Sequence, residues 1–225
     1  MPECSKIKFF SSGNLNLKKY PNDLNSIVTL NPNFVCAEYG EYDQCNYYVE
    51  EKRNKFKINL TNKIRMLSSQ HTAWIRMLIT SIITDSKDEK FIAKRLIKNL
   101  VDINMVLKEF YLESVVVKLS ELVKNHIEFT IRYIKAVNNE SKKEADSIEI
   151  EWKTNAIKVA NLLKNFNSHC DKNYWEVNLE RYLGLIKSEI VYILNKDYEK
   201  SIIIYDEIEK QNLYMADTII EAILK

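Results

Sequence analysis

The chain predicts an all-α protein, and two features of its 225 residues carry that reading. Pro2, Gly13, Pro21, Pro32 and Gly40 all precede residue 46, and only Gly184 follows it. Residues 46–225 therefore hold one glycine and no proline, whereas β-rich and α/β folds need turn residues between their strands. From residue 47 onward, apolar side chains recur with the 3.6-residue period of an amphipathic helix. The expected architecture is an up-and-down antiparallel bundle of four to five long helices, ferritin-like in outline, with an irregular N-terminal arm.

The arm covers residues 1–45. Its stretches KKYPNDLNSIVTLNPNF and CAEYGEYDQCNYY are rich in Asn, Pro and Tyr and show no helical period, which suits an irregular segment draped over the bundle. The bundle domain, 46–225, opens with a helix over about 48–85 whose inward stripe is Ile64, Leu67, His71, Trp74, Leu78 and Ile82. Asp85-Ser86 breaks the pattern, and Ser86 is placed to cap a short helix over 87–99, followed by another near 102–110. The next helix, about 112–138, turns Leu119, Leu122, His126, Phe129 and Tyr133 inward. Asn138-Asn139 makes a turn, and Ser141 with Glu144 fits a capping box for a helix over 141–166 that buries Ile148, Trp152, Asn155, Val159, Leu162 and Phe166. After NFNSHCDKN come helices over about 173–195 and 197–224, and the short connections force antiparallel neighbours. The pair joined at AVNNESKKE echoes the pair joined at ILNKDYEKS with an offset of about 57 residues; duplication, or hairpins built independently to one plan, would give this.

Composition excludes several classes. Thirty-three Lys and Arg against 31 Asp and Glu leave a net charge of +2, so no global field draws in nucleic acid or an anionic membrane. The N-terminus lacks a secretory signal, and no uncharged apolar run approaches the roughly 18 residues of a membrane span. A cytoplasmic protein is expected, in which the sequon at Asn59 is fortuitous and Cys4, Cys36, Cys45 and Cys170 are reduced thiols; a disulfide or an oxidised assembly is the alternative. The Gly-rich phosphate loops and the G-x-S-x-G motif are missing, and His169-Cys170 has no third group to make a protease-like site.

The functional clues are polar residues at apolar positions. His71, His126 and Asn155 occupy inward stripes, Glu189 shares a face with Leu179, Tyr182, Ile186 and Ile193, and Asp206 and Asp217 fall on a stripe with Ile203, Leu213, Ile220 and Leu224. Buried polar groups need partners, so these are expected to converge on one another or on a metal. No Glu-x-x-His occurs, which argues against a di-iron site; a single Fe, Mn or Zn ion held by His71, His126 and Glu189 is the metal alternative. Arg76 sits roughly 140° around the helix from His71 and is expected to pair with Asp85 or Asp217. Trp74, Trp152 and Trp175 read as packing residues.

These residues resemble a family of small helical-bundle proteins from spore-forming, low-G+C bacteria that has no established function. The pattern runs through His71, Trp74, Arg76, Met77, Leu78 and Ile79, then His126, then Trp152, Asn155 and Ala156, and closes with Tyr205, Asp206, Glu209, Gln211, Met215, Ala216 and Asp217. It spans about residues 60–225. Where relatives carry a histidine and an acid, this chain has Tyr182 and Ile157, which removes two candidate ligands. Amino-acid kinase labels attached to such families do not fit a chain with three glycines. The expected protein is a binding or structural bundle rather than an enzyme, in a sporulation-associated setting that the resemblance suggests; the even charge balance argues against nucleic-acid and membrane partners, and a homo-oligomer or protein partner stays open.

Overall fold

A computed structural model of the protein describes residues 42–166 and 172–224. Six helices follow one another: α1 (Tyr42–Ile83), α2 (Glu89–Leu107), α3 (Glu113–Asn138), α4 (Lys142–Leu163), α5 (Lys172–Leu194) and α6 (Tyr198–Leu224). No strand occurs among the described residues, and no helix there is long and apolar enough to cross a membrane. The all-α bundle is as the pattern predicts. The arm expected over 1–45 lies outside the described residues, except that 42–45 are helical and belong to α1.

Three further boundaries differ from expectation. Residues 89–107 form one helix, not two, because Leu96, Asn99, Leu100 and Leu107 keep a continuous buried stripe with no glycine or proline to interrupt it. The residue at the N-cap of α2 is Asp88 rather than Ser86, and Asp88 accepts a hydrogen bond from Ser81 Oγ at 2.6 Å. Ser141 does precede α4, but its side chain makes no capping bond, so the capping box is absent.

The helices pack as three hairpins, α1–α2, α3–α4 and α5–α6, each helix against its neighbours in chain order. Contact between α6 and α1 closes the ring, and α1 also touches α3 and α5. The first helix of each hairpin ends in one way. Asp85, Glu140 and Lys196 take left-handed backbone angles, with φ of 50°, 55° and 59°. The next N–H then reaches back to the carbonyls of Ser81, Ala136 and Tyr192 at 2.9 Å, the Schellman arrangement that satisfies a helix's last acceptors.

Those three residues are 55 and 56 positions apart, and the spacing extends through the core. Ile75, Thr130 and Ile186 are all fully buried; so are Ile79, Ile134 and Ile190, and, on the second helices, Leu96, Trp152 and Ile208. The echo between the last two hairpins, expected at an offset of about 57 residues, falls at 56 and extends to the first hairpin as a threefold positional repeat. Its first copy is harder to see because the register steps from 55 to 56 across the α1–α2 connection.

Candidate functional site

The repeat also places polar groups. In α2, Asn99 Nδ2 donates to the Leu67 carbonyl at 3.0 Å, and in α4 Asn155 Nδ2 donates to the Leu122 carbonyl at 2.9 Å. In α6, Gln211 Nε2 donates to the Asn178 side chain at 2.9 Å and to its carbonyl at 3.4 Å. Each amide thereby ties the two helices of one hairpin together. One turn beyond each tied residue stand His71, His126 and Tyr182.

All three line a central cavity of about 180 Å³, whose wall takes residues from every helix. Ile64, Leu67, Val123, Val159, Leu179, Met215 and Ile219 are among its apolar lining, and Ser68 and Asn212 add polar atoms. No Lys, Arg, Asp or Glu lines it. Asn212 Nδ2 is already engaged, with the Ser68 carbonyl at 2.8 Å and Thr72 Oγ1 at 3.0 Å.

Burial decides the charge of the imidazoles. It lowers the His71 pKa to about 4, against a weaker opposing effect of the Asn99 side chain beside it. Asn99 Oδ1 has no regular hydrogen-bond partner among the described residues. Burial, with a contribution from His71, lowers His126 to about 3. Both are therefore neutral at pH 7. Trp152 Nε1 donates to His126 Nδ1 at 2.8 Å. Nδ1 must then carry the lone pair and Nε2 the proton. That Nε2 is buried with no partner among the described residues, as are the Tyr182 hydroxyl and Trp175 Nε1. The rings of His126 and Tyr182 stack 6.0 Å apart, and burial raises the Tyr182 pKa, so its hydroxyl keeps its proton.

The other expected site residues lie elsewhere. Glu189 is 1% exposed and faces Arg76, whose Nη1 donates to its carboxylate and to the Ser201 carbonyl at 2.9 Å. The Arg76 guanidinium also lies 5.1 Å over the Tyr205 ring, so this cluster joins α1, α5 and α6. Arg76 therefore pairs with Glu189, not with Asp85 or Asp217. Burial pushes the Glu189 pKa up to about 7 against the pull of Arg76. Asp217, 43% exposed at its side chain, pairs with Arg65, and Asp206 is exposed. These two leave the expected polar core because α6 is rotated: it buries Ile208, Gln211, Met215 and Ala216 and leaves Ile203 outside.

Among the described residues no group of three or more His, Cys, Asp and Glu is arranged to hold a metal ion. His71 and His126 share the cavity while Glu189 is engaged with Arg76. In addition, the free ring nitrogen of His126 bears a proton and offers no lone pair, so this arrangement does not fit the Fe, Mn or Zn alternative. Trp152 exceeds its expected packing role, since it fixes the His126 tautomer. Tyr182, Trp175, Asn99 and Gln211 are the members that the polar-on-apolar criterion missed. Comparison with protein-family models, with curated proteins and with solved structures finds no match in any of the three.

Proposed function

We propose that the protein is a binding protein for a small apolar molecule held in the central cavity. The single observation behind this is a wall, drawn from all six helices, that carries no formal charge and only a few polar atoms. Concave, mostly apolar sites with a few polar groups are the usual form of small-molecule sites. The volume, about 180 Å³, compares with the roughly 150 Å³ engineered cavity that admits benzene, so a one-ring molecule fits. The threefold repeat supports the reading, because it brings one hydrogen-bonding side chain from each hairpin to the same wall. The resemblance to spore-former bundle proteins supports a sporulation-associated setting, which transcript levels in sporulating and vegetative cells of the source would check.

Ethylbenzene, titrated into the full-length protein and followed by methyl NMR, tests the binding itself. Saturable shifts at lining residues such as Val123 and Leu179, with a ligand-dependent rise in Tm, are the expected result. They should disappear in Ala156→Leu, which places a larger side chain at the wall. Absence of saturable binding to the unaltered protein overturns the proposal.

A further inference from the structure

We infer that the ligand of this cavity is an uncharged molecule bearing a hydrogen-bond acceptor, such as a ketone, ester or amide carbonyl, which receives bonds from His126 and Tyr182. This rests on the cavity being a binding site and specifies what it selects.

Three residues on its wall, His126, Trp175 and Tyr182, carry a buried polar atom that has no partner among the described residues and a proton to give. His126 Nε2 carries a proton because Trp152 occupies the opposite ring nitrogen. Trp175 Nε1 can only donate, and the Tyr182 hydroxyl retains a proton to give. Tyr182 is 5% exposed, Trp175 is fully buried and, although His126 is partly exposed, its Nε2 is buried, so bulk solvent does not serve these three atoms. A buried donor left unpaired is costly, and a ligand oxygen that accepts from it recovers that cost. A purely apolar ligand would leave the donors unpaired. One with only donor groups could use the Tyr182 oxygen or the lone pair of neutral His71, but would leave the N–H groups of His126 and Trp175 unpaired.

Charge is selected against by the same wall. With no Lys, Arg, Asp or Glu lining the cavity, neither a carboxylate nor an ammonium would find a counter-ion there. Arg76 and Glu189 are paired with each other, and neither lines the cavity.

Near-isosteric probes test the inference by calorimetry at pH 7 on the full chain: ethylbenzene, acetophenone and benzoate. Acetophenone should bind about tenfold tighter than ethylbenzene, the scale of a recovered hydrogen bond, and benzoate should not bind measurably. In Tyr182→Phe the ratio of acetophenone to ethylbenzene affinity should shrink several-fold. Should that variant fail to fold, the His126 Nε2–H resonance of the unaltered protein gives a second readout. It should move on adding acetophenone and stay in place with ethylbenzene. Equal affinity for ethylbenzene and acetophenone overturns the acceptor requirement but leaves apolar binding intact, as it would if water serves the donors. Benzoate binding as tightly as acetophenone overturns the selection for an uncharged ligand. Binding of none of the three overturns the cavity as a site, and this inference with it.

Discussion

His71 and His126 are neutral by enclosure, which makes them measurable through stability. Both are held below the ordinary imidazole value of 6.5, at about 4 and about 3. Between pH 6.5 and 4 the unfolded chain takes up protons that the folded chain refuses, so their contribution is full above pH 6.5 and declines as pH falls. Glu189 works in the opposite sense between about 7 and 4.5, because its folded form accepts a proton that its unfolded form leaves. A comparison with His71→Leu separates the two effects. From pH 7 to 5 the unaltered protein should lose about 2 kcal/mol more than the variant, read from urea midpoints at each pH. Identical pH profiles would mean that His71 is not buried and neutral. Arg76→Leu should cost about 3 kcal/mol or more at pH 8, where it strands a carboxylate, and clearly less at pH 5, where Glu189 is neutral. Equal losses at both values would sink the Arg76–Glu189 assignment. The histidines and Glu189 were legible in the sequence because each interrupts an apolar stripe. Their partners were not: a stripe says that a residue is buried, not which helix it meets, so Arg76 drew the wrong acid. Tyr182 and Trp175 stayed hidden because aromatic residues on an apolar stripe look like packing whether or not their polar atoms are satisfied.

The helices were legible almost to their ends because turn chemistry marks them. Asn138-Asn139 reads as a turn and 195–198 as a short connection, and both helices before them finish in Schellman ends, at Glu140 and Lys196. The expected break of α2 between 99 and 102 does not occur, because neither Leu100 nor Val101 bars a helix and the buried stripe runs on from Leu96 to Leu107. α6 was misread in phase: its exposed Ile202 and Ile203 mimic a core stripe, and only packing against α1 and α5 shows which face turns inward. The same elements carry removable strain. Exposed Glu140 pays the left-handed backbone penalty of a side-chain residue, roughly 1–2 kcal/mol, partly offset by glycine's greater entropy loss. Glu140→Gly should therefore stabilise the fold by about 0.5–1 kcal/mol. Gly184 is the converse case, a glycine inside α5 where an added Cβ meets nothing within 4 Å. Gly184→Ala should gain about 0.5–1 kcal/mol in thermal or urea unfolding, and a loss would show that the helix needs its glycine. The two sites lie in different hairpins and share no partners, so their effects should add.

At the scale of the molecule, repeated hairpins could behave as a linear array or as one closed body, and the contacts decide between these. In an array each unit touches only its neighbours, and a terminal unit can open alone. Here α6 returns to α1, and the Arg76–Glu189–Ser201 cluster fastens the first hairpin to the third across that closure. The cavity wall draws on all six helices, so no hairpin can leave without exposing the apolar lining of the others. Opening any one of them should then cost as much as opening the whole. Ile75, Thr130 and Ile186 provide matched probes, because they occupy the same place in the three hairpins and all are fully buried. Native-state hydrogen exchange in rising, sub-denaturing urea should give their amides one common opening free energy. That value should equal the global unfolding free energy and fall with urea at the global slope. A lower value and shallower slope confined to Ile186 would mean that the third hairpin opens alone, and would replace the closed ring with an array of hairpins.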